Sequence, residues 1–318
     1  MALKVEQIKR IGVVGAGLMG HGIAQAYAQE GYPVTLTDSS KSALAWVKDR
    51  IKANLETLAR GELIQQGDVE KVLDRMTVVD SLKEAVGDAD FVTEAVFENL
   101  ETKRDIFQEM EKFCADESIL ASNTSSFPMT LIASLMKKPE RAIVTHWMNP
   151  PHLVPLVEVV SGEKTTEETY DTAYALLRKV KKVPVRVQKE IIGFLINRIQ
   201  SAMNREVYSL VEMGVASAAD IDLAVVTSLG FRLATQGPLQ IRDLAGLDVT
   251  CKVDETLMAK ISSSQEPRLL KSMVARGELG TKSGKGFFEY TPESLAEIIR
   301  ERDRQFIRRL KEQYLAKG

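Results

Sequence analysis

Only three histidines occur in the chain, and two of them, His146 and His152, share one short run, His146-Trp147-Met148-Asn149-Pro150-Pro151-His152. The run leaves one apolar stretch of strand type, Ala142-Ile143-Val144-Thr145, and enters another, Leu156-Val157-Glu158-Val159-Val160. A histidine at the end of one strand and a carboxylate on the next can return to the same level. Such a pair suits proton abstraction near neutral pH: the imidazole accepts, and the carboxylate stabilises the imidazolium and sets the tautomer. If the proton comes from a carbinol hydroxyl, the carbon can release its hydride to a nicotinamide. A second cluster points the same way. Gly15-Ala16-Gly17-Leu18-Met19-Gly20 directly follows Ile11-Gly12-Val13-Val14 and opens a helical pattern that runs to Gln29. Gly15 allows the tight turn, Gly17 lets a pyrophosphate approach the backbone, Leu18 and Met19 open the helix whose amides receive it, and Gly20 lets helix and strand pack closely. Asp38 ends the next strand-like stretch, Val34-Thr35-Leu36-Thr37, eighteen residues beyond Gly20. There it would accept ribose hydroxyls and repel a 2′-phosphate, which favours NAD over NADP. FAD shares the fingerprint and stands as the alternative cofactor; an unliganded glycine turn is the plainer reading.

These residues need a scaffold that brings strand ends to one rim. The pattern supplies it: further strands are expected at Thr77–Val79, Asp90–Val96, Ser118–Ser122 and Val183–Val187, with helices between them, one of them long, from Lys41 to Arg60. Such alternation predicts a mostly parallel sheet with helices on both faces, an α/β Rossmann domain over residues 1–187. Residues 188–318 read as an all-α domain, with Gly286-Phe287-Phe288-Glu289-Tyr290 as its one expected strand. The charged segment from Pro292 to Lys317 reads as a solvated surface helix with a stripe of Ile298, Ile299, Phe306, Ile307, Leu310 and Tyr314.

Composition narrows the class. The chain has 318 residues, 44% hydrophobic and 27% charged, which suits about two globular domains. A net charge of −2 offers no basic surface for nucleic acid. Cys114 and Cys251 lie far apart without CxxC spacing, so neither a disulfide framework nor a metal site is expected. No apolar run reaches membrane-spanning length, and Met1–Arg10 lacks a signal-peptide core; the expectation is a soluble, cytoplasmic protein.

Over nearly its whole length the chain resembles the 3-hydroxyacyl-CoA dehydrogenase family. The resemblance rests on the glycine loop, on Glu94-Ala95-Val96-Phe97-Glu98-Asn99-Leu100-Glu101-Thr102-Lys103, on Ser122-Asn123-Thr124-Ser125-Ser126, on His146-Trp147-Met148-Asn149-Pro150 with Glu158, and on Gly193-Phe194-Leu195-Ile196-Asn197-Arg198. Gly237-Pro238 with Asp243, Gly246-Leu247-Asp248 and Gly284-Lys285-Gly286-Phe287-Phe288 complete it. It implies His146 and Glu158 as the catalytic dyad, with Ser125 and Asn197 beside them. Ser125, Asn149 and Asn197 would bind substrate, and Glu98, Lys103 and Asn123 would lie near the cofactor. The implied reaction is oxidation of the 3-hydroxyl of a hydroxyacyl-CoA or related acid with NAD. The implied assembly is a homodimer through the helical domain, whose Ile199, Met203, Val207, Leu210 and Val211 form an apolar face.

Two segments depart from acyl-CoA members. Pro150-Pro151-His152 with Pro155 resembles a branch acting on small free acids such as gulonate, carnitine and pyridine carboxylates, and Val185–Glu190 resembles the gulonate enzyme. The region implied to contact CoA, around Lys52 to Gly61, ends in Arg60-Gly61-Glu62, with a carboxylate where those members carry a cation. His152 has two readings, a contact for a substrate carboxylate or a residue that simply sits in the loop. A non-catalytic, crystallin-like NAD-binding protein is the alternative of another class.

Overall fold

The computed structural model describes residues 3–312. Eight strands form one sheet in the order β3-β2-β1-β4-β5-β6-β7-β8. They are β1 (Ile11–Val14), β2 (Val34–Thr37), β3 (Met76–Val79), β4 (Phe91–Glu94), β5 (Ile119–Ser122), β6 (Ala142–Trp147), β7 (Leu156–Ser161) and β8 (Val183–Val187). β1 through β6 run parallel, β7 is antiparallel to β6, and β8 is parallel to β7. Strands β1, β4 and β5 are buried at every position, as expected where helices cover both faces of a parallel sheet. The reversal of strand order between β1 and β4 opens the crevice where such sheets bind ligands.

The helices of this part are α1 (Gly20–Gln29), α2 (Lys41–Arg60), α3 (Asp68–Asp74), α4 (Leu82–Val86), α5 (Leu100–Phe113), α6 (Met129–Ile132) and α7 (Glu167–Lys179). Ile23, Ile51, Val72 and Leu176 from α1, α2, α3 and α7 share one core; Val86, Phe107 and Ile132 from α4, α5 and α6 share the other. Helix starts follow local chemistry: the Ser40 and Asn99 side chains accept from the amides of Ala43 and Thr102, capping α2 and α5.

The rest is helical: α8 (Ile196–Glu212), α9 (Ala218–Ala224), a π stretch Val225–Gly230, α10 (Phe231–Leu233), α11 (Pro238–Ala245), α12 (Leu247–Leu257), α13 (Arg268–Ala275) and α14 (Pro292–Leu310). The chain divides into two compact units, residues 1–197 with 299–318, and residues 198–298. The expected strand at Gly286–Tyr290 is absent. Only the isolated bridges Gly280–Lys285 and Lys285–Glu289 form, because the segment turns back on itself around positive-φ Gly280 and Gly284 and meets no extended partner. The last helix is also less solvated than its charge suggests. Ile307 is buried, and Phe306 and Leu310 pack with it on the core of α1–α3. Tyr314 lies outside the described residues.

Candidate active site

The antiparallel register of β6 and β7 sets His146 directly opposite Glu158. Directly opposed residues project to the same face of a ladder, so their side chains meet. His146 Nδ1 lies 2.7 Å from Glu158 Oε2, with the histidine 5% exposed and the glutamate fully buried. The other carboxylate oxygen accepts from the amides of Leu195 at 2.8 Å and Ile196 at 3.0 Å. These amides open α8, where unpaired N–H groups and the helix dipole favour negative charge. Burial pushes the Glu158 carboxyl up, but the His146 hydrogen bond and the two amides outweigh it and hold the group below the usual carboxylate range. A carboxylate can only accept, so Nδ1 carries the proton and Nε2 is left with the lone pair. The buried Phe194 ring flanks the imidazole, 5.7 Å between centroids. Phe194 sits at φ 46° after Gly193 at φ 79°, a left-handed pair that turns the chain into α8.

The neutral polar candidates gather at the same rim. Asn197 Nδ2 donates to the Ser125 carbonyl at 3.3 Å, holding the start of α8 to the loop after β5. Asn123 Oδ1 accepts from the Trp147 amide at 2.8 Å, tying that loop to the end of β6. The Ser125 amide and the Ser126 amide both donate to Glu98, and Thr124 Oγ1 donates to the same oxygen at 2.7 Å. Asn149 is exposed just past β6.

The glycine loop has the shape that a pyrophosphate requires. Gly15 has φ 111°, and a Cβ on Gly20 would fall 1.7 Å from the Gly15 carbonyl oxygen. A Cβ on Gly17 would meet nothing within 4 Å, so the backbone there stays open to close approach. Leu18 is exposed beside it, Met19 half-buried. Asp38 accepts from the Ala16 amide at 2.6 Å and from the Ser40 amide at 2.7 Å, which fixes its carboxylate at the rim of the loop with lone pairs to spare. These residues fit a dinucleotide.

Lys103 is placed differently from a side chain that reaches into a crevice. It is 1% exposed, and its ammonium lies 2.8 Å from Glu94 and 3.2 Å from Glu98. Burial pushes the Glu98 carboxyl up; Thr124, Lys103 and the Ser125 amide together hold it below its ordinary value. Glu94, also fully buried, accepts from Ser122 Oγ at 2.5 Å and from the Val96 amide at 2.7 Å. This Glu94–Lys103–Glu98 chain braces the ends of β4 and β5. Glu94 and Phe194 lie inside the family motifs without standing out by type or spacing; the signal that marks Glu94 is a carboxylate ending the buried strand Phe91–Glu94. His152 lies apart from the dyad. Its Nδ1 is buried without a partner and faces Gly22 of α1, and burial together with the charges of His21, Lys182 and Arg302 pushes its pKa down to about 3.

Comparison with known proteins agrees with this arrangement. Residues 10–191 match the NAD-binding domain of 3-hydroxyacyl-CoA dehydrogenase, and residues 193–290 match its C-terminal domain. A 5-formyl-3-hydroxy-2-methylpyridine 4-carboxylate 5-dehydrogenase from Mesorhizobium japonicum is 36% identical over 94% of this chain and 96% of its own. A probable 3-hydroxybutyryl-CoA dehydrogenase from Bacillus subtilis is 38% identical over 89% of this chain and 98% of its own. A crystal structure of a 5-formyl-3-hydroxy-2-methylpyridine 4-carboxylic acid 5-dehydrogenase, an NAD+-dependent dismutase, superimposes with a TM-score of 0.88 at 34% identity, over 96% of this chain and 99% of that one. A glycine loop that fits a dinucleotide, a strand-paired histidine and glutamate, and both halves of one domain pair place the chain in the 3-hydroxyacyl-CoA dehydrogenase family, NAD-dependent oxidoreductases of CH–OH groups.

Proposed function

We propose that the chain oxidises a small free carboxylic acid bearing a hydroxyl or a hydrated formyl group, with His146 as base and Glu158 as its partner. One observation carries the choice of substrate class. The end of α2, the region that family resemblance assigns to CoA, is covered by the chain's own last helix. Ile307 packs where a Cβ on Gly61 would fall, 2.7 Å from its Cγ2, and Lys311 pairs with Glu62 at 2.9 Å. Lys52, two turns back along α2, is paired with Glu70 at 2.7 Å, and the exposed Arg60 donates to Thr57 Oγ1 of its own helix at 2.9 Å. A phosphorylated nucleotide would meet a buried apolar contact there, with Lys311 and Lys52 already held in ion pairs. The pyridine carboxylate enzyme aligns with 94% of this chain and the hydroxybutyryl-CoA enzyme with 89%, which supports the same choice.

In this reading Gly15, Gly17, Leu18, Met19, Gly20 and Asp38 hold the NAD, with Asn123 and the braced Glu98–Lys103 segment shaping the nicotinamide end. Bound NAD supplies the acceptor for the hydride. His146 Nε2 takes the hydroxyl proton, and Glu158 stabilises the imidazolium without taking the proton itself. Ser125, Asn149 and Asn197 are neutral hydrogen-bond groups that orient the reacting oxygen without competing for the proton.

The helical unit 198–298 is proposed as a dimerisation and substrate-binding domain. Within it only Ile221 and Met273 are buried. Ile199, Val226, Phe231, Leu239, Leu244 and Leu247 are each more than 60% exposed. A unit this poor in buried apolar area needs a cover, at about 25 cal/mol for each Å² removed from water, and a second copy supplies one of matching character.

The test is NAD reduction, followed by the absorbance of the reduced nicotinamide, with free acids (pyridine carboxylates, gulonate, carnitine) beside 3-hydroxyacyl-CoA thioesters. Turnover confined to free acids is expected. Turnover of thioesters at least tenfold better than every free acid reverses the choice, and NAD binding without any turnover favours a non-catalytic protein.

A further inference from the structure

β7 pairs with β6 through His146 and Trp147, but on the side of the nucleotide loop β5 pairs with β6 only as far as Val144, two residues short of His146. The ladder ends at Trp147 opposite Val157, and the residues between form a turn. Inside the turn the amides of Leu153 and Val154 both donate to the Pro150 carbonyl, at 3.0 and 2.9 Å. Two other carbonyls of the turn, those of Pro151 and Val154, face outward. Both are taken by one side chain: Lys182 Nζ donates to them at 2.6 and 3.1 Å.

Lys182 stands immediately before β8, whose Val183 amide donates to the Pro155 carbonyl at 2.9 Å. Its ammonium lies 5.3 Å from the centroid of the Trp147 ring. It makes no ion pair with a carboxylate among the described residues; Glu30, the nearest acidic influence, pairs with Lys181 at 3.0 Å. Burial pushes the Lys182 pKa down to about 7, with Glu30 opposing. A buried amine without a carboxylate is costly, and here two carbonyls and an indole face are its compensation. On the opposite side the turn rests on α1. A Cβ on Gly22 would come 2.8 Å from Pro151 Cγ and 3.2 Å from His152 Nδ1, so the absence of a side chain at residue 22 sets how closely they approach. His152, neutral and half-buried with its Nδ1 turned inward, completes the contact.

We propose that Lys182 is a positioning residue: by clamping the Pro151–Val154 turn against Gly22 of α1, it fixes the distance from the His146 imidazole to the nucleotide loop at the start of that helix. The proposal rests on His146 being the base. Placement errors on the order of 1 Å reduce catalysis by roughly a hundredfold while leaving binding contacts largely intact.

The test compares Lys182→Met, Lys182→Arg, Gly22→Ala and the double variant Lys182→Met/Gly22→Ala, with His146→Ala as reference. For Lys182→Met the expectation is a kcat at least about tenfold lower, NAD affinity within about twofold of wild type, and partial recovery in Lys182→Arg, which restores a donor. Gly22→Ala should lower kcat from the other side of the turn, and the double variant should lose less than the product of the two single losses, because both act on one contact. A wild-type kcat in Lys182→Met overturns the proposal, as do equal losses of kcat and NAD affinity, or strictly multiplicative effects in the double variant. If His146→Ala itself keeps wild-type turnover, the reading of the base has failed instead; an inactive His146→Ala beside an unaffected Lys182→Met sinks the clamp alone.

Discussion

Replacing Glu158 by glutamine tests the dyad at its most exposed assumption. The wild-type carboxylate serves three donors at once: the imidazole N–H at 2.7 Å and the Leu195 and Ile196 amides at 2.8 and 3.0 Å. A glutamine of the same shape has one accepting oxygen and one donating nitrogen. If its oxygen faces the helix amides, its NH₂ faces Nδ1, the imidazole proton moves to Nε2, and the base is lost. If its oxygen faces Nδ1, its NH₂ opposes two buried N–H groups. Even in the better case the imidazolium forms against a neutral amide oxygen instead of a carboxylate, so the opposite charge that stabilises it is lost, at about 1.5–3 kcal/mol. At about 1.4 kcal/mol per factor of ten, kcat falls roughly 10- to 100-fold, and about 10⁴-fold if the tautomer inverts. The assay is steady-state NAD reduction across pH with substrate deuterated at the reacting carbon, to verify that hydride transfer limits the rate, together with NAD affinity as a control on folding. A variant within twofold of wild-type kcat, with hydride transfer limiting the rate, would refute the reasoning.

Further expectations follow from the same geometry. His146→Ala should lower kcat by about 10²–10⁴ and leave NAD affinity nearly unchanged; near wild-type turnover in a steady-state assay would remove His146 from the role of base. Asp38 should give the wild type at least about a tenfold preference for NAD over NADP, on the order of 1.4 kcal/mol, measured by titration of both cofactors. Asp38→Ala should narrow that ratio while weakening both, since the Ala16 and Ser40 amides lose their acceptor. Glu98 and Glu158 are held below their ordinary value of 4.5, so their stabilisation is complete above that pH and is lost as pH falls through their lower folded values. Thermal denaturation should therefore show Tm dropping below about pH 4.5, less steeply in Glu98→Gln. Light scattering at micromolar concentration should return twice the chain mass of 35.3 kDa, and a monomer mass would mean that the exposed faces of residues 198–298 are covered some other way.

What was legible in the sequence is what neighbouring residues decide together. A glycine loop between a strand and a helix, with Asp38 ending the next strand, has one geometry in a parallel sheet, and the structure has it. The separation of His146 and Glu158 across a short turn already implies an antiparallel pair, because two strands joined so briefly cannot run parallel. The seven residues of α3 were missed because Asp68–Asp74 offers too few turns for a period to show. Lys103 has its partners at Glu94 and Glu98, and whether such a lysine faces a crevice or a core depends on the packing of α5 over two strand ends. His152 has two readings in the sequence, a substrate contact or a loop residue, and its approach to Gly22 of α1 comes from packing that the run itself does not carry.

The same division separates reaction from substrate. Reaction chemistry sits at strand ends, where order along the chain determines proximity in space. In the proposed reading, selection of substrate falls to the end of α2, which a helix from the far end of the sequence packs against. Glu62 alone weakens a phosphate site by one charge. Glu62 paired with Lys311, next to Gly61 packed against Ile307, takes up a nearby cation of the last helix in a surface ion pair. No local pattern around Lys52–Glu62 announces this, and none in α14 beyond an apolar stripe that would serve equally well against any partner. Fold and reaction type are therefore readable from short segments, whereas the proposed preference for a free acid rests on a tertiary contact, and Lys311→Ala with Glu62→Lys should raise turnover of 3-hydroxyacyl-CoA thioesters relative to free acids in the NAD-reduction assay; an unchanged ratio would remove that contact from the argument.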